Sequence, residues 1–228
     1  AAAETISSII QGKIVPCTLE FLDRVTIRCV EDFAKIGLPL DVEALLLMEV
    51  DGHPAEVEDQ ASRIIEIAEA HGAREIRMAG TQEEADQLAS ARRSAFSALA
   101  RLAPTVFLED VTVPRSELAR MVRFIQATAE KYRVQAGTFG HMGDGNLHPT
   151  FLTNERDPEE IGRVEEAMGE IFSYAIELGG TITGEHGVGL AKKPYLQSAL
   201  GPVALDVIKR LKSSFDPNGI LNPGKIFD

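Results

Sequence analysis

The 228-residue sequence lacks the features of secreted and membrane-spanning proteins. Its two cysteines, Cys17 and Cys29, are too few for a disulfide framework and do not form a Cys-x-x-Cys pair. No apolar run approaches the roughly 20 residues that a membrane-spanning helix needs, and no signal peptide is visible. These absences predict a cytoplasmic protein, which reaches a membrane surface at most through partner subunits.

Positive charge and phosphate-binding motifs are scarce as well. The chain has 23 Lys and Arg against 35 Asp and Glu, which gives a formal net charge of −12. Because an excess of negative charge repels a phosphate backbone, nucleic acid is excluded as the main partner. The sequence has no Gly-x-Gly-x-x-Gly after a strand, no Gly-x-x-x-x-Gly-Lys-Ser/Thr loop and no Gly-x-Ser-x-Gly elbow. A common nucleotide site or serine-hydrolase site is therefore not expected.

The apolar residues that are present make up 44% of the chain, enough for a sizeable core. An apolar run over 44–50 predicts a central strand covered on both faces, and residues 75–79 predict another short strand. Because two consecutive strands meet at a hairpin, we expect the α+β class: a ferredoxin-like antiparallel sheet with helices on one face, plus a C-terminal helical tail. Helices are predicted over 1–11, 55–71, 81–102, 158–178 and 202–215.

The hairpin is predicted over residues 137–152. The sequence Gly-Asp-Gly-Asn over 143–146 is strong turn chemistry between two strand-like segments. If the turn is centred between Asp144 and Gly145, His141 and His148 face each other directly, with Cβ atoms roughly 4.5–5.5 Å apart. Two imidazoles held this way can chelate one metal ion. A pair of exposed strand histidines without a ligand is the alternative.

A second segment, over 179–189, is rich in glycine and places Glu185 beside His186. Glycine at this density indicates unusual backbone angles or the close approach of a ligand. A carboxylate brought to His141 and His148 completes a set of two histidines and one carboxylate, which leaves coordination positions open for substrate. Zn, Mn and Fe all suit these ligands, so the sequence predicts a divalent metal without choosing among them.

Several motifs in combination resemble one known family. They are Phe-Gly-His-Met-Gly-Asp-Gly-Asn-Leu-His over 139–148, Thr-Gly-Glu-His-Gly-Val-Gly over 183–189 and Phe-Asp-Pro-Asn-Gly-Ile-Leu-Asn-Pro-Gly-Lys over 215–225. Residues 49–52 and 109–115 extend the likeness over nearly the whole chain. The sequence resembles the C-terminal half of FAD-linked oxidases of the vanillyl-alcohol oxidase type. The nearest branch includes the glycolate oxidase flavoprotein subunit, D-lactate dehydrogenase and D-2-hydroxyglutarate dehydrogenase.

The resemblance implies that residues 1–228 are the cap, or substrate, domain of an FAD-dependent 2-hydroxyacid dehydrogenase or oxidase. FAD would be bound mainly by an N-terminal domain that has no counterpart in this sequence. The implied partners are a small 2-hydroxy acid, that FAD-binding domain, and an iron-sulfur or other electron-acceptor subunit. A surface left open without the FAD domain also favours a homo-oligomer.

The same resemblance assigns chemistry to the histidine and glutamate residues. His141, His148 and Glu185 match the family's metal ligands one for one. His186 matches the general base, which removes the proton of the substrate hydroxyl while hydride leaves the α-carbon for the flavin. A supporting residue that orients Glu185 is the alternative role for His186.

Substrate and cofactor contacts are assigned further along the chain. Arg92 matches the arginine that grips the substrate carboxylate through a bidentate contact, although a surface arginine is the alternative and Arg93 is a second candidate. Asn222 lies in a tail that folds toward the flavin in such families, which implies a cofactor contact.

The sequence departs from the family pattern at three positions near Arg92. Ala89 replaces a common aromatic residue, and the hydroxyl and lysine contacts of hydroxyglutarate enzymes fall near Phe96 and Leu108. Loss of those polar contacts favours a small monocarboxylate such as glycolate or D-lactate. A free-standing metal hydrolase and a vestigial domain that serves subunit assembly are the alternative functions.

Overall fold

A computed structural model describes residues 1–227 as a six-stranded antiparallel sheet packed with seven α-helices. The strand order is β2-β1-β5-β6-β3, and β4 also pairs with β6. The strands are β1 (Thr18–Asp23), β2 (Ala44–Glu49), β3 (Thr105–Leu108), β4 (Val111–Thr112), β5 (Gln135–His141) and β6 (Asn146–Thr153). The helices are α1 (Ala2–Gln11), α2 (Arg24–Ala34), α3 (Pro54–Ala70), α4 (Gln82–Leu99), α5 (Leu118–Tyr132), α6 (Pro158–Glu177) and α7 (Leu196–Phe215). The predicted α+β class with an antiparallel sheet is confirmed.

Two hydrophobic clusters lie on opposite faces of this sheet. Successive strand residues point to opposite sides, so Phe21 of β1 joins one cluster and Leu22 joins the other. The first cluster holds buried side chains of α5 and α6, such as Ile125 and Phe172, and the second holds those of α2 and α4. Helices were expected on one face of the sheet, and the structure has a second helical layer on the opposite face as well.

Two strand predictions are corrected by the structure. The run over 44–50 forms β2, which lies at one edge of the sheet and pairs with β1. Helices above and below an edge strand favour the same apolar sequence as for a central strand, so composition did not separate the two. Residues 75–79 form no strand, and Met78 is 71% exposed, because strand formation needs a neighbouring strand as well as a local pattern.

The hairpin is confirmed, but its register differs from the prediction. His141 pairs with Asn146, and His148 pairs with Phe139, which is two positions from the predicted partner. The loop therefore spans 142–145. Because side chains alternate with a period of two, this even shift leaves both histidines on one face, as diagonal neighbours.

The predicted helices are confirmed in outline. α7 begins at Leu196, before the predicted start at Pro202, and its path is interrupted at Gly201, where φ is 74°. Within residues 1–227 no helix combines the length and hydropathy needed to cross a membrane.

Candidate metal and substrate site

The three predicted metal ligands converge at one place. Oε1 of Glu185 lies 3.1 Å from Nε2 of His148 and 3.7 Å from Nε2 of His141, and the ligand atoms all lie within 4.8 Å of one another. Atoms that each sit about 2.1 Å from one metal ion lie roughly 3–4 Å apart. The donor chemistry therefore fits a divalent metal, with further coordination positions free for substrate, and the ligand atoms would draw closer by some tenths of an ångström to share one ion.

His148 is oriented by the backbone. Its ring is 1% exposed, and Nδ1 lies 3.3 Å from the carbonyl oxygen of Glu109. Burial, with the neighbouring His186 as a second cause, lowers the pKa of His148 to about 4. In the neutral ring Nδ1–H donates to that carbonyl, so the lone pair of Nε2 points toward Glu185, as a metal ligand requires.

His141 is oriented by a carboxylate that the sequence analysis did not single out. Glu20 of β1 is its cross-strand partner, and Oε1 of Glu20 lies 2.6 Å from Nδ1 of His141. The hydrogen bond to Glu20 raises the pKa of His141, while burial and Arg92 oppose the rise. Glu20 is the one charged residue in the mostly apolar run over 14–22, and that pattern is the signal that could have identified it.

Arg92 completes this side of the site. Its Nε donates to Oε2 of Glu20 at 2.7 Å, and one terminal nitrogen, Nη2, lies 3.1 Å from Nε2 of His141. Burial alone would raise the pKa of Glu20, but the hydrogen bonds from His141 and Arg92 lower it. Arg93 is exposed and donates to the backbone oxygen of Asp86. The structure thus places Arg92 at the site and Arg93 away from it.

His186 lies against the same group of residues. Its ring stacks on His148 with centroids 4.9 Å apart and an interplanar angle of 13°. Nε2 of His186 is 3.6 Å from Oε1 of Glu185, and the side chain is 34% exposed. An exposed imidazole beside the candidate metal position is accessible to a substrate hydroxyl.

A second group of charged residues supports the loop of Glu185 and His186. Glu109 and Asp110, both buried, lie between β3 and β4. Lys192 is buried as well, with Nζ 3.4 Å from a Glu109 carboxylate oxygen. These residues were assigned no role from the sequence, although two adjacent carboxylates within an apolar segment were a visible signal.

The remaining sequence assignments fall outside this cluster. Asn222 is exposed in the C-terminal tail with a φ of 48°, so its cofactor contact stays a prediction. Asp144 is exposed at the hairpin loop, whereas Asn146 is buried at the start of β6 and donates to Asp110.

Comparisons with known proteins identify the family of the chain. The model of the family described as FAD linked oxidases, C-terminal domain, matches residues 1–226. Glycolate oxidase subunit GlcD of Bacillus subtilis (strain 168) is 56% identical over 227 residues, covering 100% of this chain and 48% of that protein. A probable mitochondrial D-lactate dehydrogenase of Danio rerio is 32% identical over 230 residues, covering 100% and 46% respectively.

A solved structure supports the fold independently. The crystal structure of p-cresol methylhydroxylase with substrate bound aligns with a TM-score of 0.66 at 16% identity, over 99% of this chain and 51% of that one. Because the family model matches residues 1–226, the chain belongs to the C-terminal domain family of FAD-linked oxidases. It is a domain of the kind present in glycolate oxidase and D-lactate dehydrogenase proteins, and it spans about half the length of the curated relatives it matches.

Proposed function

We propose that this chain is the substrate- and metal-binding half of an FAD-dependent 2-hydroxyacid dehydrogenase of the glycolate or D-lactate type. The observation that carries the proposal is the convergence of His141, His148 and Glu185 on one point, with His186 and Arg92 beside it. FAD is expected for members of this family, and relatives with the same domain are named as glycolate oxidase and D-lactate dehydrogenase.

Nε2 of His141, Nε2 of His148 and a carboxylate oxygen of Glu185 would hold the metal. When bound, a divalent metal supplies Lewis-acid polarisation of the substrate hydroxyl and carboxylate. Each donor already has its orientation, since Glu20 contacts the far nitrogen of His141 and a backbone carbonyl contacts that of His148. Metal binding would still require Nη2 of Arg92 to give up its 3.1 Å contact with Nε2 of His141, which would free that nitrogen for the substrate carboxylate.

His186 would receive the proton of the substrate hydroxyl at Nε2. Its ring is 34% exposed, and a neutral imidazole can accept a proton as a general base. Oxidation of the alcohol also releases a hydride from the α-carbon, and FAD supplies the two-electron acceptor when bound. One proton and one hydride thus leave the 2-hydroxy acid to give the 2-oxo acid.

Arg92 would bind the substrate carboxylate with its terminal guanidinium nitrogens. Its Nε already donates to Glu20, which fixes the plane of the guanidinium next to His141. Phe96, one turn further along α4, is 44% exposed, and Leu108 lies at the end of β3. These apolar side chains favour a small monocarboxylate over a substrate with a second, distal carboxylate.

Replacing Arg92 with lysine is expected to weaken substrate binding in the complete flavoprotein. Lysine keeps the charge but loses the planar pair of donors, and a charge-assisted hydrogen bond is worth about 1.5–3 kcal/mol, or roughly 10–100-fold in KM. Steady-state kinetics with D-lactate and with glycolate would measure the change. Arg93→Lys is the matched control, with unchanged KM expected, and equal effects of the two substitutions would remove Arg92 from the substrate site.

The flavin-binding half of the protein would cover an apolar stripe on α7. Val203, Val207, Leu211 and Phe215 recur every four residues along this helix, and each is at least half exposed. Side chains at this spacing lie on one face of a helix. An exposed apolar surface of this kind marks an interface, and the unmatched half of the relatives offers the partner.

The 228-residue chain alone is expected to be colourless, inactive and prone to self-association. Without a hydride acceptor beside the α-carbon, the site can polarise a 2-hydroxy acid but cannot oxidise it. Dye reduction after addition of FAD and D-lactate or glycolate tests activity, and light scattering tests association. Val207→Glu with Leu211→Glu should restore the monomer, because like charges replace the apolar stripe.

Stoichiometric FAD binding with turnover by these 228 residues would contradict the proposal. The gene sequence preceding the codon for Ala1 supplies a second check. An FAD-binding domain of about 200 residues there is expected, a size typical of one domain.

A further inference from the structure

The segment that carries Glu185 and His186 has little regular structure of its own. Residues 179–192 form the loop after α6, in which Thr181 makes an isolated antiparallel bridge to Thr112. The side chains of Glu185 and His186 are 48% and 34% exposed, so apart from the stacking of His186 on His148, packing contributes little to fixing them. Their position must be set through the backbone of the loop.

Asp110 binds that backbone directly. Its carboxylate is completely buried at the break between β3 and β4. Three successive backbone N–H groups, those of residues 184–186, each donate to Oδ2 at 2.9 Å, and the hydroxyl of Thr183 donates at 2.6 Å. The other oxygen, Oδ1, accepts from the side chain of Asn146 and again from the first of these amides. One carboxylate therefore accepts hydrogen bonds from four consecutive residues of the loop, 183–186.

Both ends of the contact are tightly packed. A Cβ atom on Gly184 would lie 2.1 Å from Nδ2 of Asn146 and 2.4 Å from Oγ1 of Thr112, so only glycine lets the loop approach this closely. Lys192 donates to the backbone oxygen of Asp110 at 2.9 Å, which attaches the far end of the same loop. Burial alone would raise the pKa of Asp110, but the loop hydrogen bonds outweigh it and hold the pKa well below its ordinary range.

We propose that Asp110 is a positioning residue for the site, acting through the backbone of residues 183–186. By drawing three consecutive amides to one point, it sets the Cα positions from which Glu185 reaches His148 and His186 stacks on the same ring. This inference rests on the proposed function, which supplies the reason why the positions of Glu185 and His186 matter. The loop geometry itself can be tested without turnover.

The experiment compares Asp110→Asn with wild type in the complete flavoprotein, freed of metal by a chelator. The asparagine amide keeps one oxygen acceptor, but in either orientation its NH₂ group would face the backbone N–H of Gly184, which donates to both oxygens of Asp110. The negative charge that attracts the three amides is also lost, so the loop should detach. Hydrogen–deuterium exchange of peptides covering 181–190 is expected to be at least about 10-fold faster, with exchange in α5 and α6 unchanged. The affinity for added Zn²⁺ is expected to fall roughly 10–100-fold, the usual effect of losing a group that orients metal ligands. Asp144→Asn makes the same chemical change at the exposed hairpin loop, and neither quantity should move.

Unchanged exchange in the loop of Asp110→Asn would overturn the proposal. Equal acceleration in the loop and in the core helices would overturn it too, because Asp110 would then stabilise only the fold. If this variant does not fold, Gly184→Ala decides, since its added Cβ displaces the loop while Asp110 stays intact. Slow loop exchange and full Zn²⁺ affinity in Gly184→Ala would count against the proposal. Failure of the wild-type flavoprotein to oxidise 2-hydroxy acids would instead overturn the proposed function, and the loop exchange would still decide the role of Asp110.

Discussion

His186→Ala is expected to slow flavin reduction in the complete flavoprotein by roughly 10²-fold or more, the usual scale for loss of a general base. Without the imidazole, the proton of the substrate hydroxyl has no acceptor beside the candidate metal position. Stopped-flow absorbance of the flavin after mixing with D-lactate or glycolate measures this rate directly. Substrate binding should change far less, because His186 is not among the groups that would hold the carboxylate.

The metal content of the same variant separates the two roles considered for His186. A general base can be removed while His141, His148 and Glu185 keep the metal. A residue that only orients Glu185, whose Oε1 lies 3.6 Å from His186, should lose metal and activity together. If the His186→Ala enzyme reduced its flavin at the wild-type rate, the role of general base would be contradicted and His186 would have only a structural role.

His148→Ala is expected to abolish stoichiometric metal binding, the second large effect. Loss of a group that merely orients a ligand costs roughly 10–100-fold in metal affinity, and loss of a ligand itself should cost at least that. Elemental analysis of purified protein, together with Zn²⁺ titration after chelator treatment, provides the measurement. Wild-type protein should contain about one metal ion per chain.

The matched control is His53→Ala. His53 is exposed and precedes α3, and its Nδ1 accepts a hydrogen bond from the backbone N–H of Ala55. It is not one of the residues of the candidate site. This variant should keep its metal despite a cost of about 1 kcal/mol for the weakened helix start. Unchanged metal content in folded His148→Ala would contradict the assignment of His141, His148 and Glu185 as the metal ligands, whichever metal the wild type holds.

Much of the site could be predicted because its residues lie in short, distinctive local patterns. A hairpin of either register places His141 and His148 on one face, since an even shift preserves the side of the sheet. The predicted register was nevertheless wrong by two positions. The hairpin loop also has a contact outside the hairpin that local turn chemistry does not include, because Gly145 is packed so closely on Val113 that a Cβ there would lie 2.1 Å from the carbonyl oxygen of Val113.

Glu20, Asp110 and Lys192 could not be assigned roles in the same way. Each acts on a segment far away in the chain: Glu20 contacts His141, and Asp110 binds the loop that Lys192 closes. Local pattern shows that a charge interrupts an apolar strand, but not which partner satisfies it. A buried carboxylate needs hydrogen bonds, and only the assembled sheet supplies the donors.

By itself the sequence determined the α+β class, most of the helices, the hairpin and the family of this domain, because periodicity and turn chemistry are local properties. Tertiary structure decided that β2 is an edge strand and that helices cover both faces of the sheet. It also decided how Glu185 comes to lie 3.1 Å from His148. The reason is physical: strand order, register and loop position depend on contacts between residues distant in the chain, which a local pattern does not specify.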